Sequence, residues 1–265
     1  MNNKFTSEFI FQVFALFLSV IIVHAVYVGL IRPNAEAIFE QQVEQQAEGG
    51  NFIPSRSIYV ILEGYEQEAC FIMMLWAMAI MGYKARDAFM ERSLLQRKLV
   101  QVSEGVSILP EDARDYSRPI QGLPEKERDF LLARVLLTGL QRFGSTRNIQ
   151  DVSASVRDAC DLESGRLDSE LSMIRYIAWA IPSVGFIGTV RGIGEALGQA
   201  HRAVEGDISG VTASLGVAFN STFIALVISI LIMFMMHQLQ LLQERLVLES
   251  QRYFDSNLMR HLVVR

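Results

Sequence analysis

The chain has 265 residues, 51% of them apolar, and its 24 basic and 29 acidic side chains leave a formal net charge of −5. The apolar residues gather in runs of about 20, the length that crosses a hydrocarbon core, and the mean hydropathy is +0.25. The acidic balance excludes a nucleic-acid binder, which needs a basic face. Two cysteines, Cys70 and Cys160, exclude a disulfide framework and a thiolate metal site.

The first apolar run, residues 9–31, is interrupted by Gln12, Ser19 and His24. A secretory signal would have an apolar core of about 7–15 residues behind a more basic start than Lys4. Residues 1–8 therefore read as a cytoplasmic N-terminus and 9–31 as a retained transmembrane helix, with His24 as a packing or hydrogen-bonded residue. In the segment 32–68, Glu36, Glu40, Glu44 and Glu48 recur every fourth residue, followed by Gly49, Gly50 and Pro54. That spacing makes one acidic stripe on a solvated helix. The second run, 69–83, is short, so its helix is expected to begin near Ile58 and to carry Glu63, Glu66 and Glu68 at that end. Met73, Met74, Met78 and Met81 read as lipid-facing or gap-filling. Lys84, Arg86, Arg92, Arg97 and Lys98 follow, whereas residues 33–68 hold only Arg56. Lysine and arginine near span ends mark the cytoplasmic side, which puts 32–68 outside.

Residues 84–175 are polar and helical in pattern, an expected cytoplasmic domain. Leu123-Pro124-Glu125 opens a helix and Phe143-Gly144 closes it, with proline at the start and glycine just past the end. From Asn148 the spacing of Ile149, Val152, Val156, Leu167, Leu171 and Ile174 predicts a helix that runs unbroken into the third span, 176–197. Its length would be about 70 Å. A short outer loop, 198–210, leads to the fourth span, 211–236. The tail, 237–265, is helical in pattern, and Arg245, Arg252, Arg260 and Arg265 place it inside. The sequence predicts an all-α integral membrane protein with four transmembrane helices and long helices extending into the cytoplasm.

The third span carries five of the 18 glycines between Gly185 and Gly198. Gly188, Gly192 and Ala196 share one face, and small residues let membrane helices approach closely. Alone, this is a packing stripe. Pro182 removes a backbone hydrogen bond and is expected to kink the helix. Thr189 lies beside the glycine face, and a lone membrane threonine ordinarily bonds its own backbone. In the fourth span Ser214, Ala218, Thr222, Ala225 and Ser229 form a second small, partly polar stripe flanked by Asn220 and Ser221. An amide there must face a neighbouring helix or water. Together the spans predict a narrow polar seam without a carboxylate of its own.

The segment from Pro182 to Ala196, with the core P-x-x-G-x-x-G-T-V-x-G-I, resembles the signature of the MotA/TolQ/ExbB proton-channel family. The segment LGVAFNSTFIAL in the fourth span is similar to the family's last span. The resemblance implies a homopentamer whose third and fourth spans line a pore around two copies of a MotB/TolR/ExbD-like single-span partner. Each partner copy brings one membrane aspartate, and ion flow turns one ring against the other in the bacterial inner membrane, with both termini cytoplasmic. It also implies that Pro182 is the family proline, that Thr189, Ser221 and Thr222 belong to the ion pathway with Asn220 beside them, and that Gly185, Gly188, Gly192, Ala218 and Ala225 pack the pore helices. No cofactor is implied beyond the transported H⁺ or Na⁺.

Arg191 stands where the family commonly has an apolar or aromatic residue, and Glu195 is one turn further, spaced for an ion pair. The pair reads either as snorkelling side chains at the membrane edge or as a charged gate at the outer mouth. Four spans with a large inner loop resemble the flagellar branch of the family, whereas the GTV core is closer to the TolQ and ExbB branch. The alternative to a motor is a non-conducting membrane scaffold that organises envelope proteins. With no nucleophile–base pair and no phosphate loop, an enzyme is not expected.

Overall fold

The computed structural model describes residues 2–47, 57–97, 99–100, 102, 106–204 and 206–264. Glu48, Gly49, Gly50, Pro54, Arg56, Lys98 and Arg265, which the sequence reading uses, lie outside the described residues. In chain order the helices are α1 (Asn2–Val26), a π-helical turn (Tyr27–Ile31), α2 (Arg32–Ala47), α3 (Ile58–Leu62), α4 (Tyr65–Leu95), α5 (Ala113–Gln121) and α6 (Glu125–Arg128). They continue with α7 (Leu131–Thr146), α8 (Ile149–Glu170), α9 (Ser172–Gly198), α10 (Ala200–Val204), α11 (Ser209–Asn257) and a 3₁₀ turn (Met259–His261). The fold is all-α, and no strand occurs among the described residues. Four stretches, Thr6–Gln41, Tyr65–Leu95, Ile149–Gly198 and Ser209–His261, contain a segment long and apolar enough to cross a membrane.

The chain divides into two compact units. The first comprises Met1–Met81 and Met173–Met236. Its α1 exposes Phe9, Phe14, Phe17 and Ile21, as an all-round apolar helix does in lipid. The π turn brings Tyr27 and Ile31 onto one inward face with Val23, against Leu62, Phe71, Ile72 and Leu75. The second-span helix does not run unbroken from Ile58, contrary to the sequence expectation. It stops at Leu62 and restarts at Tyr65, because Gly64 leaves room that the Gln67 side chain fills. Gln67 Nε2 donates to the Ile61 carbonyl at 3.1 Å. Met81 is buried and Met78 exposed, with Met73 and Met74 half-buried.

The second unit comprises Gly82–Ser172 and His237–Arg265. Its core is built from Leu94, Ile108, Ile120, Leu136, Phe143, Val156 and Phe254, and Gly139 admits the Phe254 ring against α7. The tail is tied in by Ile108, whose N–H donates to His261 O at 2.7 Å and whose carbonyl accepts from Val263 N–H at 3.1 Å. Two helix expectations change here. Pro124 is the N-cap of the short α6, and α7 begins separately at Leu131 and runs past Gly144 to Thr146. Arg147, in the left-handed conformation at φ 51°, takes the capping position that glycine was expected to hold. The next helix is capped by Asn148, whose side chain accepts from Gln150 N–H at 2.9 Å. It turns at Leu171 (φ −85°, ψ −4°) instead of continuing into α9; Leu171 is buried, so the apolar spacing alone does not reveal the break.

Candidate functional site

The first unit's α9 and α11 meet through their small faces. A Cβ on Gly192 would stand 2.7 Å from Ala218 Cβ and 2.9 Å from Ser214 O, and one on Gly188 2.6 Å from Ser221 Oγ. Gly185 faces Ala225 Cβ, with Thr222 Cα 3.2 Å from the place a Cβ would take. The backbones thus approach more closely than any side chain on these glycines would permit.

At the centre of this contact Thr189 and Thr222 face each other. Thr222 Oγ1 donates to Gly185 O at 3.0 Å, and Thr189 Oγ1 donates to Ala218 O at 3.0 Å. Each acceptor lies four residues before the other threonine, so the arrangement is reciprocal across the seam. The two hydroxyls are also hydrogen-bonded to each other. Each hydroxyl has one proton, so only two of these three contacts are donated at once. The pair is a short chain that can point either way: Thr189 to Thr222 to Gly185 O, or Thr222 to Thr189 to Ala218 O. Both threonines are half-buried.

The other polar candidates sit apart from that pair. Ser221 is buried, and its hydroxyl donates to Val217 O of its own helix at 3.0 Å while filling the notch at Gly188. Asn220 is half-buried, and its amide has no hydrogen-bond partner among the described residues. Pro182 lies inside α9 and deprives the Ala178 carbonyl of its usual N–H four residues on. Ser229 Oγ of α11 supplies the missing donor at 3.1 Å.

Arg191 is held chiefly by a residue the sequence reading did not pair with it. Its Nε lies 2.8 Å from Glu66 Oε1 and its NH2 2.9 Å from Oε2, a fork on the first turn of α4. Glu195 is the looser partner at 3.6 Å. Two residues further along α4, Glu68 is buried and accepts from Arg32 while its other oxygen lies 2.7 Å from His24 Nδ1. The Arg32 guanidinium lies 4.5 Å from the Tyr65 ring centroid. The spacing of Glu66 and Glu68 at a span end hinted at such pairing, but one glutamate serving the first span and the next the third is a matter of tertiary packing.

In the second unit, Cys160 is buried, and burial together with Asp161, Asp255 and Glu163 pushes its thiol up to about 11. It is a core residue with little thiolate character.

These features define a multi-pass helical membrane protein with a polar seam between two glycine-faced spans. Residues 127–252 match the MotA/TolQ/ExbB proton channel family, a family of channels and not of enzymes. The match includes both seam helices as far as Arg252 and leaves out α1 to α5. No curated protein and no solved structure matches the chain.

Proposed function

We propose that this chain is the ring subunit of a membrane motor driven by the ion-motive force, with five copies enclosing two copies of a single-span partner that bears a membrane aspartate. H⁺ is the favoured ion. The observation that carries the reading is the reciprocal Thr189–Thr222 pair, a half-buried hydroxyl chain between two membrane spans that can point either way. Neither α9 nor α11 has a carboxylate in the seam, so the group that takes up and releases the ion belongs to another chain. The unpartnered Asn220 amide adds support, since such a group in a membrane calls for a protein or water neighbour. Each ion crossing 100 mV releases about 2.3 kcal/mol, enough to bias a rotation between neighbouring sites. On this reading the connection end of α9 and α11 faces outward, the second unit lies in the bacterial cytoplasm, and the membrane is the inner one.

Thr222→Val removes the hydroxyl and keeps the shape. Cells carrying this variant should lose proton uptake, measured with an internal pH dye, while the assembly persists on native gels. Thr189→Val should do so less completely. Full uptake in both variants would reduce the seam to packing and favour a non-conducting scaffold.

A further inference from the structure

A charged cluster stands at the connection end of α9. Glu66 and Glu195 share one guanidinium, Arg191, so the three groups together carry one negative charge. Without Glu66, Arg191 would face Glu195 alone, at 3.6 Å and about half exposed. Glu66 is not a mobile surface group: its side chain is 12% exposed, and its Cγ lies 3.1 Å from where a Gly188 Cβ would stand. Its helix is fixed two residues on, where Glu68 is bonded to both Arg32 and His24. Arg191 follows Thr189 by two positions, on the far side of a helix about 10 Å across with its side chains. Loss of Glu66 would take the cluster from one negative charge to neutral, and at that range one unit of charge in a protein environment changes the local concentration of a passing cation on the order of tenfold.

We infer that Glu66 is a positioning residue of the ion path: it clamps Arg191 against the second span and keeps the entrance net negative, so that cations are drawn in. This rests on the motor reading above. Glu66 lies on α4, outside the segment that matches the channel family, so the device belongs to this chain's own first two spans. Rings of acidic side chains select cations by the same electrostatics in other channels.

The test is proton uptake in cells of the source organism, with the full chain and its native partners, comparing wild type, Glu66→Gln, Arg191→Gln, the double variant and Thr222→Val at matched membrane levels. Glu66→Gln should cut uptake on the order of tenfold, and adding Arg191→Gln should bring it back to within about twofold of wild type, since Glu195 then restores the single negative charge of the cluster. A double variant as slow as Glu66→Gln would mean that Glu66 serves packing, and the inference would be overturned. If Glu66→Gln does not accumulate, Arg191→Gln decides alone: uptake equal to or above wild type supports the inference and a fall contradicts it. If Thr222→Val leaves uptake intact, the motor reading fails and takes this one with it. A normal Glu66→Gln beside an inactive Thr222→Val sinks the Glu66 role only.

Discussion

Ser229 stands in for the backbone donor that Pro182 removes. Its hydroxyl reaches the Ala178 carbonyl at 3.1 Å from the neighbouring helix, so the proline's cost within α9 is met by α11. Ser229→Ala should destabilise the first unit by about 1 kcal/mol, the scale of an interhelical hydrogen bond in a membrane protein. Pro182→Ala restores an N–H to Ala178, and Pro182→Ala with Ser229→Ala should recover most of that loss. Thermal unfolding in detergent measures both, and equal losses in the single and double variants would break the link.

The glycines of α9 differ in what surrounds them. Gly192 faces Ala218 and Ser214, whereas nothing lies within 4 Å of a Cβ built on Gly194. Gly192→Ala should therefore cost about 1–3 kcal/mol through overpacking. Gly194→Ala should leave the isolated chain as stable or slightly more so, because alanine is the better helix former. Should Gly194→Ala weaken the oligomer on native gels while sparing the monomer's melting point, its face packs on another copy.

Two glutamates of the second unit should respond to pH with opposite signs. Burial pushes Glu163 up, but hydrogen bonds from Arg166 and Arg134 outweigh it and hold its carboxyl below the usual range. Its contribution is present above the unfolded value of 4.5 and is lost as pH falls through the lower folded value. Burial raises Glu91, and the nearby Glu163 adds to the rise despite the Leu131 N–H bond. Below 4.5 both of its states are protonated and there is no penalty; the penalty grows as pH rises from there through the higher folded value. Melting curves should thus show Glu91→Gln more stable than wild type at pH 7 and indistinguishable from it at about pH 4. Glu163→Gln should be less stable at pH 7.

Much of this architecture is legible in the residues. Hydropathy alone marks the four apolar stretches, and four-residue spacing of small side chains marks the faces of α9 and α11 that meet. The Thr189–Thr222 pair follows from placing those two stripes together. What the sequence hides is non-local. The break at Leu171 keeps its apolar period, the left-handed cap falls on Arg147 instead of Gly144, and α4 restarts at Tyr65 because Gln67 folds back over Gly64. Arg191 has Glu195 one turn away on its own helix, yet its fork closes on Glu66, 125 residues earlier. Local spacing predicts the weaker of these two contacts, since it contains no information about which helix lies alongside.

Native mass spectrometry of the complex drawn from its own membranes tests the central claim most directly. Five copies of this chain are expected with two of a small single-span protein that carries an aspartate in its membrane segment. A monomer or dimer that stays so in lipid nanodiscs would contradict it.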